Sequence, residues 1–170
     1  MMADGGMQPL EIMPDAGNAR LFRDALGRFA TGVTLISIMG PDGPMGFTAS
    51  SFASLSLDPP LVLWSPARAS HRYPHFAAAE HYSIHVLGQD QADWPTRFAR
   101  GGPGFEGLSW RASREGVPVL AGTLARFDCR RHATHDGGDH LIIVGQVLRL
   151  TLEEGAPLVF ANSRFGGFAG

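Results

Sequence analysis

Between Gly46 and Pro60 the chain reads Gly-Phe-Thr-Ala-Ser-Ser-Phe-Ala-Ser-Leu-Ser-Leu-Asp-Pro-Pro. Thr48, Ser50, Ser51, Ser54 and Ser56 bring hydroxyls into a run otherwise built of small residues punctuated by large apolar ones. Hydroxyls and exposed backbone N–H groups suit the edge of a polar ring, or a phosphate, better than they suit a core. Small side chains also let a flat ligand approach the main chain closely. Composition alone allows a plainer reading as well. The run could be a serine-rich strand and loop whose hydroxyls satisfy their own backbone.

The histidines raise the question of a metal. His71 and His75 are four apart, as are His81 and His85, while His132 and His135 are three apart. Two histidines on one helix face can hold zinc. Pro74 interrupts the first pair, the second straddles the start of a strand, and no acidic or cysteine ligand is fixed near either. No metal site is expected. Cys129 is the only cysteine, which excludes an intrachain disulfide and a cysteine-based zinc site. No Gly-x-Gly-x-x-Gly opens a helix after a strand, so the glycine-rich phosphate loop of the dinucleotide type is absent.

The elements that must position such residues come from one domain's worth of chain. The 170 residues are 44% hydrophobic and 18% charged, enough apolar material for a core and too little charge for disorder. A net charge of −2 gives no basic excess with which to neutralise nucleic-acid phosphates. Residues 1–17 hold Asp4, Glu11 and Asp15 and no long apolar run, so they are not a signal peptide, and no window approaches the apolar length of a membrane span. A soluble cytoplasmic protein is expected.

Residues 1–18 lack periodicity and read as a flexible arm, leaving 19–170 as the folded domain. Leu21, Phe22, Ala25, Leu26 and Phe29 recur at helical spacing, with Asn18 as N-cap and Thr31-Gly32 as the stop. Val33–Met39 reads as a buried strand, and Pro41-Asp42-Gly43-Pro44 as a turn. A strand starts at Met45 and loosens past Ser51, and Asp58-Pro59-Pro60 bends the chain into the strand Leu61–Ser65. A short helix follows from Tyr73-Pro74. Tyr82–Leu87 alternates as a strand, and Pro95 sets a late start for a helix that reaches Arg100. Gly122–Arg131 and His140–Leu150 read as strands joined by a hairpin loop at 132–138, with Leu158–Phe160 as the last short strand. Short strands, Gly/Pro turns and few helices predict a mainly β barrel.

Four ordered segments resemble one family. They are Phe22–Val33; Thr48-Ala49-Ser50-Ser51-Phe52-Ala53-Ser54-Leu55-Ser56 running to Pro59-Pro60 and the Leu-Val-Leu strand; Val86-Leu87 with Asp90-Gln91 and Arg97-Phe98-Ala99; and Gly138-Asp139-His140 running into Val144-Gly145-Gln146-Val147, closed by Arg164-Phe165-Gly166. Together they resemble the flavin reductase-like, FMN-binding split-barrel family over about residues 20–168. The resemblance implies a six-stranded split β-barrel, a homodimer, and flavin in a groove near the dimer interface. It implies FMN as cofactor, with FAD as the alternative, NADH or NADPH as co-substrate, and reduced flavin handed to a separate flavin-dependent monooxygenase.

The site residues follow from the same resemblance. Thr48, Ala49, Ser50 and Ser51 match the segment that lines the isoalloxazine, where donors stabilise the charge gained on reduction. Ser65, Ala67, Arg68 and Ser70 match the loop near the ribityl chain and phosphate. Trp64-Ser65 departs from the Cys- or Asp-containing ending more usual there. Arg97 and Arg100 stand as further phosphate charges, the alternative being solvated arginines. Arg164 and Phe165 match a C-terminal Arg-aromatic-Gly signature, set against a barrel-closing aromatic. His140 matches the histidine by the nicotinamide and is assigned a positioning role, with Asp139 orienting it. Two rivals remain: a flavin-binding electron carrier without turnover, and an oxidase of the pyridoxamine-phosphate type, which the Thr48–Pro60 motif fits poorly.

Overall fold

The computed structural model describes residues 9–99 and 104–168. In chain order its elements are α1 (Ala19–Leu26), β1 (Thr31–Gly32), β2 (Thr34–Gly40), β3 (Gly43–Ala49), β4 (Ala53–Leu57), β5 (Pro60–Trp64), α2 (Tyr73–Ala78), β6 (His81–Val86), a 3₁₀ turn at Gln89–Gln91, α3 (Trp94–Ala99), β7 (Trp110–Ala112), β8 (Pro118–Leu120), β9 (Ala125–Gly137), β10 (His140–Leu152), β11 (Leu158–Ala161) and β12 (Arg164–Gly167). The main sheet is antiparallel with strand order β3-β2-β6-β9-β10-β5-β4.

This is the mainly β architecture expected, with few short helices, but the main sheet has seven strands rather than six. The extra strand is β4, in the stretch where the sequence reads as loosening past Ser51. Its Ala-Ser-Leu-Ser-Leu sequence pairs with β5 at the sheet edge, where only one side of the backbone needs a partner. The sheet curls without closing by hydrogen bonds between its two edge strands. Side chains close the interior instead. Trp64, Phe76 and Tyr82 are fully buried, with Phe47 packed against Trp64 and Phe76, and Phe52 stacked on Phe127 at 5.6 Å. Aromatic rings meeting edge to face bury large apolar area and prefer this tilted geometry.

The outer face of the sheet is also covered. Val33, Leu35, Leu87, Phe98, Phe105, Leu120 and Leu158 form a second apolar cluster, so β2 and β6 are buried on both faces. Tyr82 and Ile84 of β6 face the interior cluster, while Ser83 and His85 lie on the other side of the strand. α3 is held there by Phe98, which occupies the space a Cβ on Gly46 would need.

Three local expectations are corrected. β9 continues to Gly137, so the predicted loop at 132–138 shrinks to a two-residue turn, Gly138-Asp139. Gly138 has φ +73°, the backbone that glycine adopts without strain. Asn18 does not cap α1 with its side chain; its Oδ1 accepts from the Asp15 N–H at 3.0 Å and its Nδ2 donates to the Met13 carbonyl. The helix ends at Leu26, and Thr31-Gly32 is a strand paired with β11 rather than a helix stop. No residue of α1 is buried: Leu21, Phe22 and Leu26 face outward on an amphipathic helix. Among the described residues, no helix is long and apolar enough to cross a membrane, and no group of three or more His, Cys, Asp or Glu is placed to hold a metal.

Candidate active site

The end of β3 delivers Thr48, Ala49 and Ser50 to a recess of about 140 Å³ shared with Val33, Pro95, Phe160 and Phe165. β3 stays in register with β2 up to Ala49, whose carbonyl accepts a 2.8 Å hydrogen bond from the Thr34 hydroxyl. Beyond that point the backbone leaves the sheet. Among the described residues, the Thr48 and Ser50 hydroxyls have no hydrogen-bond partner in the protein, although both line the recess. Ser51 differs from its neighbours. Its hydroxyl accepts from the Ser65 N–H at 3.0 Å and donates to the Ser65 carbonyl at 3.3 Å, tying the end of β3 to the end of β5.

Phe165 reaches the recess on the β11–β12 hairpin. The turn residues Asn162 and Ser163 both have positive φ, 48° and 60°, the mirror-image turn whose twist matches two antiparallel strands. That turn sets Phe165 opposite Phe160, with ring centroids 5.0 Å apart. Arg164 is exposed on the same strand and does not line the recess.

The loop after Ser65 runs on to the β9–β10 turn. Ala67 bridges His140; the Leu141 N–H donates to the Pro66 carbonyl and the Arg68 N–H to the Asp139 carbonyl. The Arg68 side chain completes the attachment. Its Nε donates to the Gly138 carbonyl at 3.1 Å, one terminal nitrogen to the Tyr73 hydroxyl at 3.0 Å, and the other to Asp136 at 2.7 Å. Ser70 turns the chain into α2: its N–H donates to the Ala67 carbonyl, and its hydroxyl accepts from the Arg72 N–H at 3.3 Å.

His140 stands at the head of β10 with its side chain 42% exposed. Its Nδ1 lies 2.7 Å from the Asp139 carboxylate, and this hydrogen bond holds the Asp139 carboxyl below its usual range. Nδ1–H donating to a carboxylate leaves Nε2 as the outward nitrogen.

Of the predicted residues, Thr48, Ala49, Ser50 and Phe165 line the recess. Ser51, Ser65, Ala67, Arg68 and His140 do not, and are linked to it only through the Ser51–Ser65 clasp and the contacts of Ala67 and Arg68 with the His140 turn. Arg97 stands apart. Its Nε donates to the Gly104 carbonyl at 2.7 Å, and Arg100 lies outside the described residues.

The sequence pattern described as a flavin reductase like domain matches residues 26–169. The chain belongs to that family. An FMN reductase (NADH) of Agrobacterium fabrum, SmoA, is 55% identical over 158 residues, covering 93% of this chain and 91% of the relative. The reductase subunit HsaB of a flavin-dependent monooxygenase of Mycobacterium tuberculosis is 40% identical over 152 residues, covering 87% and 81%. Among solved structures, the NADH:FAD oxidoreductase SgcE6 of Streptomyces globisporus, in complex with NAD and FAD fragments, superposes with a TM-score of 0.85 at 32% identity, covering 94% of this chain and 98% of that one.

Within this flavin reductase, sequence reasoning missed Val33, Pro95 and Phe160 as walls of the recess. Pro95 carried a signal read only as a helix start: a ring without an N–H, near the head of a helix, leaves a flat apolar surface there.

Proposed function

We propose that this flavin reductase transfers hydride from NADH to FMN along the rim from Thr48 to His140, and that the reduced flavin leaves for a separate flavin-dependent monooxygenase. The single observation that carries the placement is the recess that unites Thr48, Ala49 and Ser50 with Phe165. Free hydroxyls on one side and apolar rings on the other fit a flat heterocycle with one polar edge. When bound, the flavin supplies the two-electron acceptor, and the protein supplies orientation and electrostatics.

Thr48 and Ser50 donate to the polar edge of the ring, where negative charge grows on reduction. Ala49 lets the ring approach the backbone. Ser51 and Ser65, already bonded to each other, hold two edges of the split barrel at the spacing the ring needs. Ser70 and the loop from Ala67 face the ribityl phosphate. Arg68 braces that loop against the His140 turn with three side-chain hydrogen bonds, and its charge stands beside the phosphate. Arg97 and Arg164 supply positive potential from further away. Phe165 packs on the ring. His140 presents Nε2 as an acceptor for the carboxamide N–H of the nicotinamide, with Asp139 fixing the imidazole from behind.

The working unit is a homodimer in the cytoplasm. α1 leaves Leu21, Phe22 and Leu26 exposed, Phe29 is 78% exposed, and Leu150 and Leu152 project from the far end of β10. Apolar surface of this extent on a small domain marks an interface. A recess of about 140 Å³ is small for a whole flavin, as expected of a groove that a second copy completes. Light scattering checks the assembly, and a monomer at micromolar concentration would rule it out.

The test of activity is anaerobic mixing of protein, FMN and NADH. Loss of the oxidised-flavin absorbance is expected; persistence of the yellow spectrum would end the catalytic reading. Nothing favours the electron-carrier alternative.

A further inference from the structure

A second cavity, of about 480 Å³, is larger than the recess at Thr48 and opens between the β2–β3 turn, the start of α2 and the loop before β7. The two share β3: Gly46 lines the larger one, Thr48 and Ala49 the recess. Its volume lies within the range of small-molecule sites. Pro44 and Met45 give it apolar wall. Phe105 and Trp110 add two rings that meet edge to face at 6.3 Å, with Trp110 partly exposed.

Arg72 is the group in this lining that the fold leaves incomplete. One terminal nitrogen of its guanidinium donates to the Gly46 and Phe98 carbonyls, which fixes the group between β3 and α3. Its Nε is enclosed and has no acceptor, and its other terminal nitrogen has none among the described residues. No carboxylate pairs with it among the described residues. The Phe47 ring lies 5.4 Å from the guanidinium carbon, and burial pulls the pKa below its ordinary value. A half-buried cation in apolar surroundings is costly unless an anion meets it. A carboxylate oxygen is the acceptor that matches the open donors.

The acidic residues narrow the ligand further. Asp42 and Glu106, both exposed, also line the cavity and set two negative charges against the one guanidinium. A phosphate, with its second negative charge, is disfavoured there more than a carboxylate. The aromatic wall suits a flat, uncharged body.

We infer that this cavity is a binding site for a small aromatic monocarboxylate, its carboxylate on Arg72 and its ring against Trp110 and Phe105. The site needs neither flavin nor nicotinamide, so it stands or falls apart from the reductase reading.

The experiment is calorimetric titration of the full chain with benzoate, set against benzamide and acetate. Benzoate is expected to bind with a Kd on the order of 0.1 mM. Benzamide keeps the ring and loses the charge, while acetate keeps the charge and loses the ring. Each should bind at least about tenfold more weakly. Arg72→Gln should weaken benzoate at least about tenfold. Trp110→Ala should weaken it about fivefold, with Trp110→Phe restoring most of the loss. Arg72 also clamps two carbonyls, so if Arg72→Gln fails to fold, the ligand series on the wild type and the Trp110 variants decide the matter. The site is overturned if benzoate shows no saturable binding up to about 10 mM, if benzamide binds as well as benzoate, or if the variants bind benzoate as the wild type does. Displacement of benzoate by FMN or by NAD would overturn it too, by making the cavity part of the coenzyme site.

Discussion

His85 and His140 are the same side chain on two strands of one sheet, and their surroundings are opposite. His85 is fully buried between β2 and β8. Its Nδ1 lies 3.1 Å from the Leu35 carbonyl, and its Nε2 accepts from the Leu120 N–H at 3.2 Å. Both ring nitrogens are occupied by backbone, and burial pushes the pKa down to about 4. His140 is partly exposed, has one nitrogen on Asp139 and presents the other outward. A histidine whose two nitrogens are both satisfied by the fold holds elements together. One that turns its second nitrogen outward keeps a lone pair to offer. Spacing does not separate the two cases; hydrogen-bond accounting does.

The most severe way to probe the contrast is His85→Ala. The substitution orphans the Leu120 N–H and the Leu35 carbonyl and opens a cavity beneath β8. The expected loss is about 4 kcal/mol of stability, read by urea denaturation, with flavin reduction per folded molecule within about twofold of wild type. A stable variant with crippled turnover would mean that the two histidines had been assigned the wrong way round.

The pH dependence of stability sharpens the same point. The folded-state pKa of His85, about 4, lies below its ordinary value of 6.5, so the unfolded chain takes up a proton before the folded one does. The contribution is full above pH 6.5 and is lost as pH falls through 4. Over that window it amounts to about 3 kcal/mol. Carboxylates add their own acid dependence to the wild type and to His85→Ala alike, so the difference between the two curves isolates the histidine. Parallel curves from pH 7 to 4 would show that His85 is not held neutral by its burial.

His140→Ala should behave in the opposite sense. Among the described residues its side chain bonds only Asp139, an exposed neighbour, so stability should move by less than about 0.5 kcal/mol. The rate of reduction by NADH should fall at least about tenfold while flavin binding stays within about twofold. Stopped-flow reduction and a flavin titration separate the two effects. Equal losses in both would put His140 in the flavin site and not beside the nicotinamide.

Much of the arrangement is legible in the sequence, and the gaps have physical reasons. The Leu61–Trp64 strand is marked by its own apolar run, whereas the Thr48–Ser51 seam stands out through its match to the family motif, its composition alone also fitting a plain serine-rich loop. β4 is hard to read because its Ala-Ser-Leu-Ser-Leu run alternates but holds no β-branched or aromatic residue, and its pairing with β5 slips register between Ser54 and Ser56. β9 was cut short for a related reason: His132–Gly137 is polar, and its strand character comes from its partner β10. β12 escaped because its turn is Asn162-Ser163 rather than Asn-Gly, the usual sign of such hairpins. The seam itself proved divided. Sequence makes Ser50 and Ser51 equivalent, but only the fold reveals that Ser51 is occupied by Ser65.

Arg68 tests the comparison at its finest grain, because two roles for it lead to different kinetics. A residue that grips phosphate affects FMN and leaves riboflavin, which has none, untouched. A residue that braces the His140 turn affects the nicotinamide step with either flavin. The side chain is 40% exposed and Asp136 81%, so the ion pair adds at most about 1 kcal/mol to stability. Its geometric role is larger, since the planar fork reaches Gly138, Tyr73 and Asp136 at once and a lysine can reach only part of that set. Arg68→Lys keeps the charge and loses the fork. The expected outcome is a rise of about threefold in KM for NADH with both FMN and riboflavin as acceptor. A penalty confined to FMN, removed by offering riboflavin, would make Arg68 a phosphate ligand and leave His140 to be positioned by the backbone of its turn alone.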